Sequence, residues 1–210
     1  YKYRLLGTRL NMKSDRKHAG INGTEILESL SANAFKNYLG SERAQSIVFG
    51  TSGKRGFAKQ VSQLCKSLNE GGKFHNPDKR SVTAQDGKLD VVAWVPFSDF
   101  LPSQIIIFAQ CKTGTNWRGS LSQLDPTSFC KKWFFRPLIV NPMRAFCVAE
   151  GADQTRWNSD AIDGVIFFDR CRLVDFSMGL ENKTFRTMSK WTKAAFRSFQ
   201  LIDGIKKSAG

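Results

Sequence analysis

The chain has 210 residues, 41% of them hydrophobic, and its 32 Lys and Arg against 18 Asp and Glu give a net charge of +14. A chain of this size and apolar content can build a core without disulfide or metal staples, and its composition is that of a folded protein and not of a disordered one. A sequence pI near 9.8 points to polyanionic partners: DNA, RNA or an anionic surface.

Residues 1–22 are polar and basic and read as a lead-in segment. A helix is expected from Thr24 as N-cap, with Glu25 in its first turn, Leu27, Leu30, Ala34 and Tyr38 at helical spacing, and Gly40 as the stop. Residues 46–49 suit a short strand, and residues 57–68 a second helix. Between them Gly50-Thr-Ser-Gly-Lys-Arg-Gly56 is a glycine-rich basic loop. Its glycine-to-lysine spacing fails the Walker pattern, which leaves a plain solvated loop as the first reading and, through Lys54 and Arg55, contacts to a nucleic-acid backbone as the second. A polar loop covers 70–80. After the turn signal Asp86-Gly87, residues 89–95 and 104–111 are apolar on both faces, as in strands buried inside a sheet. Residues 120–135 are expected to be partly helical, with Pro126 near a helix start or in a break. Residues 144–149 and 164–168 read as two more strands. Residues 184–202 form a terminal helix with Trp191, Ala195 and Phe199 on one side. This order predicts an α/β fold with a central mixed sheet flanked by helices.

The domain is read as single over 1–210, with a core at about 23–168, an insertion at about 50–80 and a C-terminal helical segment at about 184–203. It begins at Tyr1, which suggests part of a longer protein. The cysteines at 65, 111, 130, 147 and 171 are odd in number and lack a Cys-x-x-Cys pair, and His18 and His75 are isolated in polar segments. A structural zinc site and histidine-based catalysis are therefore not expected. Free thiols, with no signal peptide and no apolar run of membrane-spanning length, point to the cytoplasm and to no membrane partner.

Chemistry concentrates in residues 86–118. Gln110 and Lys112 flank Cys111 on one strand and project to the same face. Asp90, on the preceding strand, converges with them if the two strands pair at matching height. A carboxylate and an amide oxygen are hard ligands suited to Mg²⁺ or Mn²⁺, and the backbone carbonyl of Cys111 adds a third oxygen. Lys112 beside such an ion stabilises the charge that develops on a phosphoryl group, or positions the attacking water.

Asp90…Gln110-Cys111-Lys112 resembles the active-site signature of the PD-(D/E)xK nuclease superfamily, in the Q-x-K form of Mrr-like restriction endonucleases. The resemblance covers about residues 23–168. It implies a restriction-endonuclease-like core of helix, three strands, helix and strand, and a Mg²⁺-dependent endonuclease acting on DNA, most simply double-stranded. It also implies a bacterial restriction or phage-defence setting, an attached recognition or motor module, and a possible homodimer. Members often add a glutamate from the first core helix, after a glycine-rich start. In Gly23-Thr-Glu-Ile-Leu-Glu28, Glu28 borders the apolar face and is the favoured fourth member, with Glu25 as alternative. Two features depart from the family pattern: Gln110 replaces the usual acid, and Lys88-Leu89 stands where the family has its proline. A catalytically inactive nucleic-acid-binding module is the alternative function.

Four more residues are candidate nucleic-acid contacts. Trp117 and Arg118 follow the strand through a glycine turn and suit base stacking and phosphate binding, although Trp117 equally suits packing against the next helix. Lys131 and Lys132 lie on the helix after the strand, with Arg136 close behind, a run that suits a phosphate-facing surface but is more commonly just a solvated face.

Overall fold

The computed structural model describes residues 2–3, 12, 14–49, 56–77 and 87–208, with side chains as far as residue 198. The lead-in is more structured than its polarity suggests. Strands β1 (Lys17–His18) and β2 (Ile21–Asn22) pair as an antiparallel hairpin. Tyr3 and Met12 are buried in the main core, and His18 is buried with its ring edge-on to Trp191 at 5.3 Å.

Helix α1 (Gly23–Tyr38) starts two residues earlier than expected. Its cap is Asn22, whose side chain accepts the Thr24 N–H at 3.2 Å, so one otherwise orphaned amide is satisfied. Strand β3 (Gln45–Val48) and helix α2 (Phe57–Leu68) follow. Strands β4 (Val91–Val95) and β5 (Ile105–Lys112) are the two apolar runs seen in the sequence. Helix α3 (Pro126–Trp133) has its proline in the first turn, where no amide is needed, and Asp125 as its cap. Strand β6 (Met143–Val148), helix α4 (Trp157–Gly164), strand β7 (Ile166–Phe168), helix α5 (Arg170–Asp175) and the long helix α6 (Asn182–Ser208) complete the order.

The five strands form one mixed sheet in the order β3-β4-β5-β6-β7. The β3–β4 and β4–β5 pairs are antiparallel, while β5–β6 and β6–β7 are parallel. Helices cover both faces, so the expected α/β class with a flanked mixed sheet is the one observed. On one face α1 packs over Val91, Ala93, Ile107, Ala109 and Ala145, and α6 closes the layer with Trp191 and Ala195. On the other face Val92, Trp94, Ile106 and Phe108 meet Val61 and Leu64 of α2 and Phe129 and Trp133 of α3. Aromatic rings dominate this second layer. Phe57 lies edge-on to Trp133 at 5.1 Å and Phe108 edge-on to Phe129 at 5.5 Å, pairs worth about 0.5–1.5 kcal/mol each beyond their buried area. Among the described residues no helix is long and apolar enough to cross a membrane.

Candidate active site

The site lies where β5 outruns β4. The last β4–β5 pair is Val91 with Ala109, whereas β5 stays paired to β6 as far as Lys112 with Val148. Residues 110–112 thus have a neighbour on one side only. Two features end β4 at that point. A Cβ on Gly87 would meet the Phe129 ring at 2.7 Å, and Lys88 takes a left-handed φ of +50°. That backbone costs a non-glycine residue on the order of 1 kcal/mol and turns the chain away from β5. The Cys111 amide, left without a strand partner, donates to Asp90 Oδ2 at 2.7 Å. Asp90 therefore replaces a ladder bond with its carboxylate and is held in orientation by it.

The resulting cleft, of about 320 Å³, is lined by Glu28, Asp90, Gln110, Cys111 and Lys112, together with Arg16, Thr24, Leu27, Lys88 and Thr113. The four favoured site residues line one cavity, drawn from α1, the end of β5 and, for Asp90, the residue just before β4 and not the strand itself. Glu25 does not line it. That residue is exposed and accepts a hydrogen bond from the Asn22 side chain.

The electrostatics follow from burial. Glu28 is 7% exposed; its desolvation, with the Asp90 carboxylate and then Glu25 adding repulsion, pushes its carboxyl up to about 8. Burial also raises Asp90, to about 6, against the downward pull of the Cys111 N–H, Lys112 and Lys88. Gln110 is buried and, among the described residues, its amide nitrogen reaches only Gln123 Oε1, at 3.5 Å. Glu28 Oε2 and Gln110 Oε1 are both buried without a hydrogen-bond partner among the described residues. Buried oxygens in that condition are costly.

No protein-family model, no curated protein and no solved structure matches the chain.

Among the described residues no three His, Cys, Asp or Glu side chains gather as a metal cage. The cleft offers a sparser set of oxygens: two carboxylates, one amide and the Cys111 carbonyl. Such a set fits Mg²⁺, which binds through one or two carboxylates and otherwise keeps water and substrate oxygens. The two partnerless oxygens and the two upward-shifted carboxyls are the features a hard cation would relieve.

The remaining expected contacts are placed differently. Trp117 is 1% exposed and packs with Phe146 and Phe167, its indole N–H donating to Glu150. It has no free face for a base; of its two expected roles, packing is the one found. Arg118 stacks over that indole at 4.3 Å and is paired with the buried Asp160 at 3.1 Å. The loop leaving β5 is thereby fastened to the segments after β6 and in α4. Lys131 and Lys132 are exposed on α3 and do not line the cleft; Lys132 lies over Trp133 at 4.6 Å. Lys54 and Arg55 fall outside the described residues. Arg16, Thr24, Lys88 and Thr113 were not among the expected site residues. Arg16 sits in the lead-in, where no periodicity marks it, and Lys88 was noted only as a substitute near the family's proline.

Proposed function

We propose that this chain is a Mg²⁺-dependent nuclease domain with a restriction-endonuclease-like core, hydrolysing phosphodiester bonds in DNA. The observation that carries this reading is the pair of buried, partnerless oxygens, Glu28 Oε2 and Gln110 Oε1, in the cleft that Asp90 and Lys112 also line. With α2 counted as an insertion between β3 and β4, the remaining order of α1, β3, β4, β5, α3 and β6 is compatible with the helix, three strands, helix and strand of that superfamily. The charge of +14 favours a polyanionic substrate.

Asp90, Glu28, the Gln110 amide oxygen and the Cys111 carbonyl are the groups that would hold the ion. Bound there, such an ion would supply Lewis-acid polarisation of a phosphoryl oxygen and a more acidic water. The rest falls to the chain itself. The Cys111 N–H keeps the Asp90 carboxylate aimed. Glu28 carries a proton at neutral pH in the ion's absence and gives it up as positive charge enters the cleft. Lys112 donates to a non-bridging phosphoryl oxygen, where negative charge grows as the water oxygen attacks phosphorus and the ester oxygen leaves.

The test is plasmid nicking by purified protein with Mg²⁺ and with EDTA. Asp90→Ala and Lys112→Ala should each lower the rate at least about 100-fold. Equal cutting by either variant, or cutting undiminished in EDTA, overturns the assignment.

A further inference from the structure

The cleft holds more positive charge than its chemistry requires. Arg16 from the segment before β1, Lys88 from the turn before β4, and Lys112 from the end of β5 all line it. None of the three makes a salt bridge or side-chain hydrogen bond to another described residue. Arg16 and Lys88 are exposed, whereas Glu28 is buried and Asp90 half-buried. The acids therefore lie at the floor and these two cations at the rim.

Both rim residues are fixed through their backbones. The Arg16 carbonyl accepts from Gly23 N at 2.8 Å and from Trp191 Nε1 at 3.0 Å, which ties it to α1 and α6 together. Lys88 is held in its left-handed conformation beside Gly87, which the Phe129 and Phe57 rings crowd. Backbone strain kept at a lysine on a cavity rim, where glycine would be free of it, is a cost that packing alone does not explain.

We infer that Arg16 and Lys88 clamp the phosphates on either side of the scissile one, so that the substrate is an internal bond of a polynucleotide, not a terminal or isolated phosphodiester. This rests on the nuclease reading above. With Glu28 and Asp90 ionised around a divalent ion, those charges cancel. Three cations remain to face three consecutive phosphates. Lys112, next in chain to the Cys111 that bonds Asp90, takes the central one, and the rim residues take its neighbours.

The experiment has two readouts. The first is binding of a short fluorescein-labelled duplex in EDTA, followed by anisotropy across a salt series. Arg16→Ala and Lys88→Gly should each weaken binding and reduce the slope of log affinity against log salt by about 1. Lys88→Gly also relieves the left-handed backbone, so it should bind more weakly while unfolding at a higher temperature. A merely structural lysine would give the second effect without the first. Arg16→Lys should restore the slope. The second readout is hydrolysis with Mg²⁺. Both variants should raise KM for an oligonucleotide roughly tenfold with little change in kcat, and affect hydrolysis of bis(p-nitrophenyl) phosphate far less than that of the oligonucleotide. Unchanged salt slopes overturn the clamp, as does an equal effect on the two substrates or wild-type protein that binds no duplex. If wild type binds duplex but hydrolyses neither substrate, the nuclease reading falls and the salt slopes still decide the clamp.

Discussion

Replacing Glu28 by Gln should stabilise the metal-free protein, and the gain should depend on pH in a defined way. The Glu28 carboxyl stands at about 8 in the folded chain against an ordinary 4.5. Between these values the folded state holds a proton that the unfolded state has released, so stability falls as pH rises through the window. At about 1.4 kcal/mol per tenfold, the ionised form is destabilised by about 5 kcal/mol once the pH exceeds 8. Near pH 6.5 the penalty is about 3 kcal/mol, and near pH 4 it vanishes because both states are protonated. Glutamine keeps the size and the buried oxygen but never ionises. Urea unfolding in EDTA at pH 4, 6.5 and 9 should give a Glu28→Gln advantage that grows from nothing to several kcal/mol. Saturating Mg²⁺ should erase it by stabilising wild type alone. A variant that is less stable at pH 9, or whose difference from wild type is flat across pH, refutes the buried-acid account.

Two further outcomes test neighbouring parts of the site. Asp90→Asn retains an oxygen to accept the Cys111 N–H, so the fold should survive while Mg²⁺ affinity, read by isothermal titration calorimetry, falls at least about tenfold. Trp117→Ala removes a fully buried ring and the donor to Glu150. It should cost about 3–5 kcal/mol in denaturant unfolding yet leave the salt slope of DNA binding unchanged, which separates a packing role from base stacking.

The sheet and the site differ in how far the sequence exposed them. The strands at 91–95 and 105–112 were legible because burial on both faces leaves an apolar run with no polar interruption, and the polar exceptions at 90, 110 and 112 therefore stood out. Helix α2 was placed at its observed ends because its apolar positions recur at helical period beside a glycine. Helix α1 was missed by two residues, since Asn22 and Thr24 are both good caps and only packing chooses between them. The β1–β2 hairpin and the short helices α4 and α5 carry too few residues for periodicity to register. Trp117 could not be placed from sequence. A tryptophan after a glycine turn stacks on a base or fills a core with equal ease, and its partner Glu150 lies on another strand's exit. Arg16 and Lys88 join the cleft only through the hairpin and the turn at Gly87, both of which are products of tertiary contact.

The glycine at position 23 is a socket without a side chain. A methyl group there would fall 2.7 Å from Met12 and from the Trp191 ring, so the opening residue of the first core helix is shaped to receive the closing one. The Trp191 ring whose edge fills this socket also holds the Arg16 carbonyl through its N–H. The cleft mouth is thus coupled to a helix of 27 residues, about 40 Å long at 1.5 Å per residue. Displacing that helix near Trp191 would break the hydrogen bond that fixes the backbone of a cleft-lining arginine. Arg16 thus stands on a contact that the first core helix and the last one share.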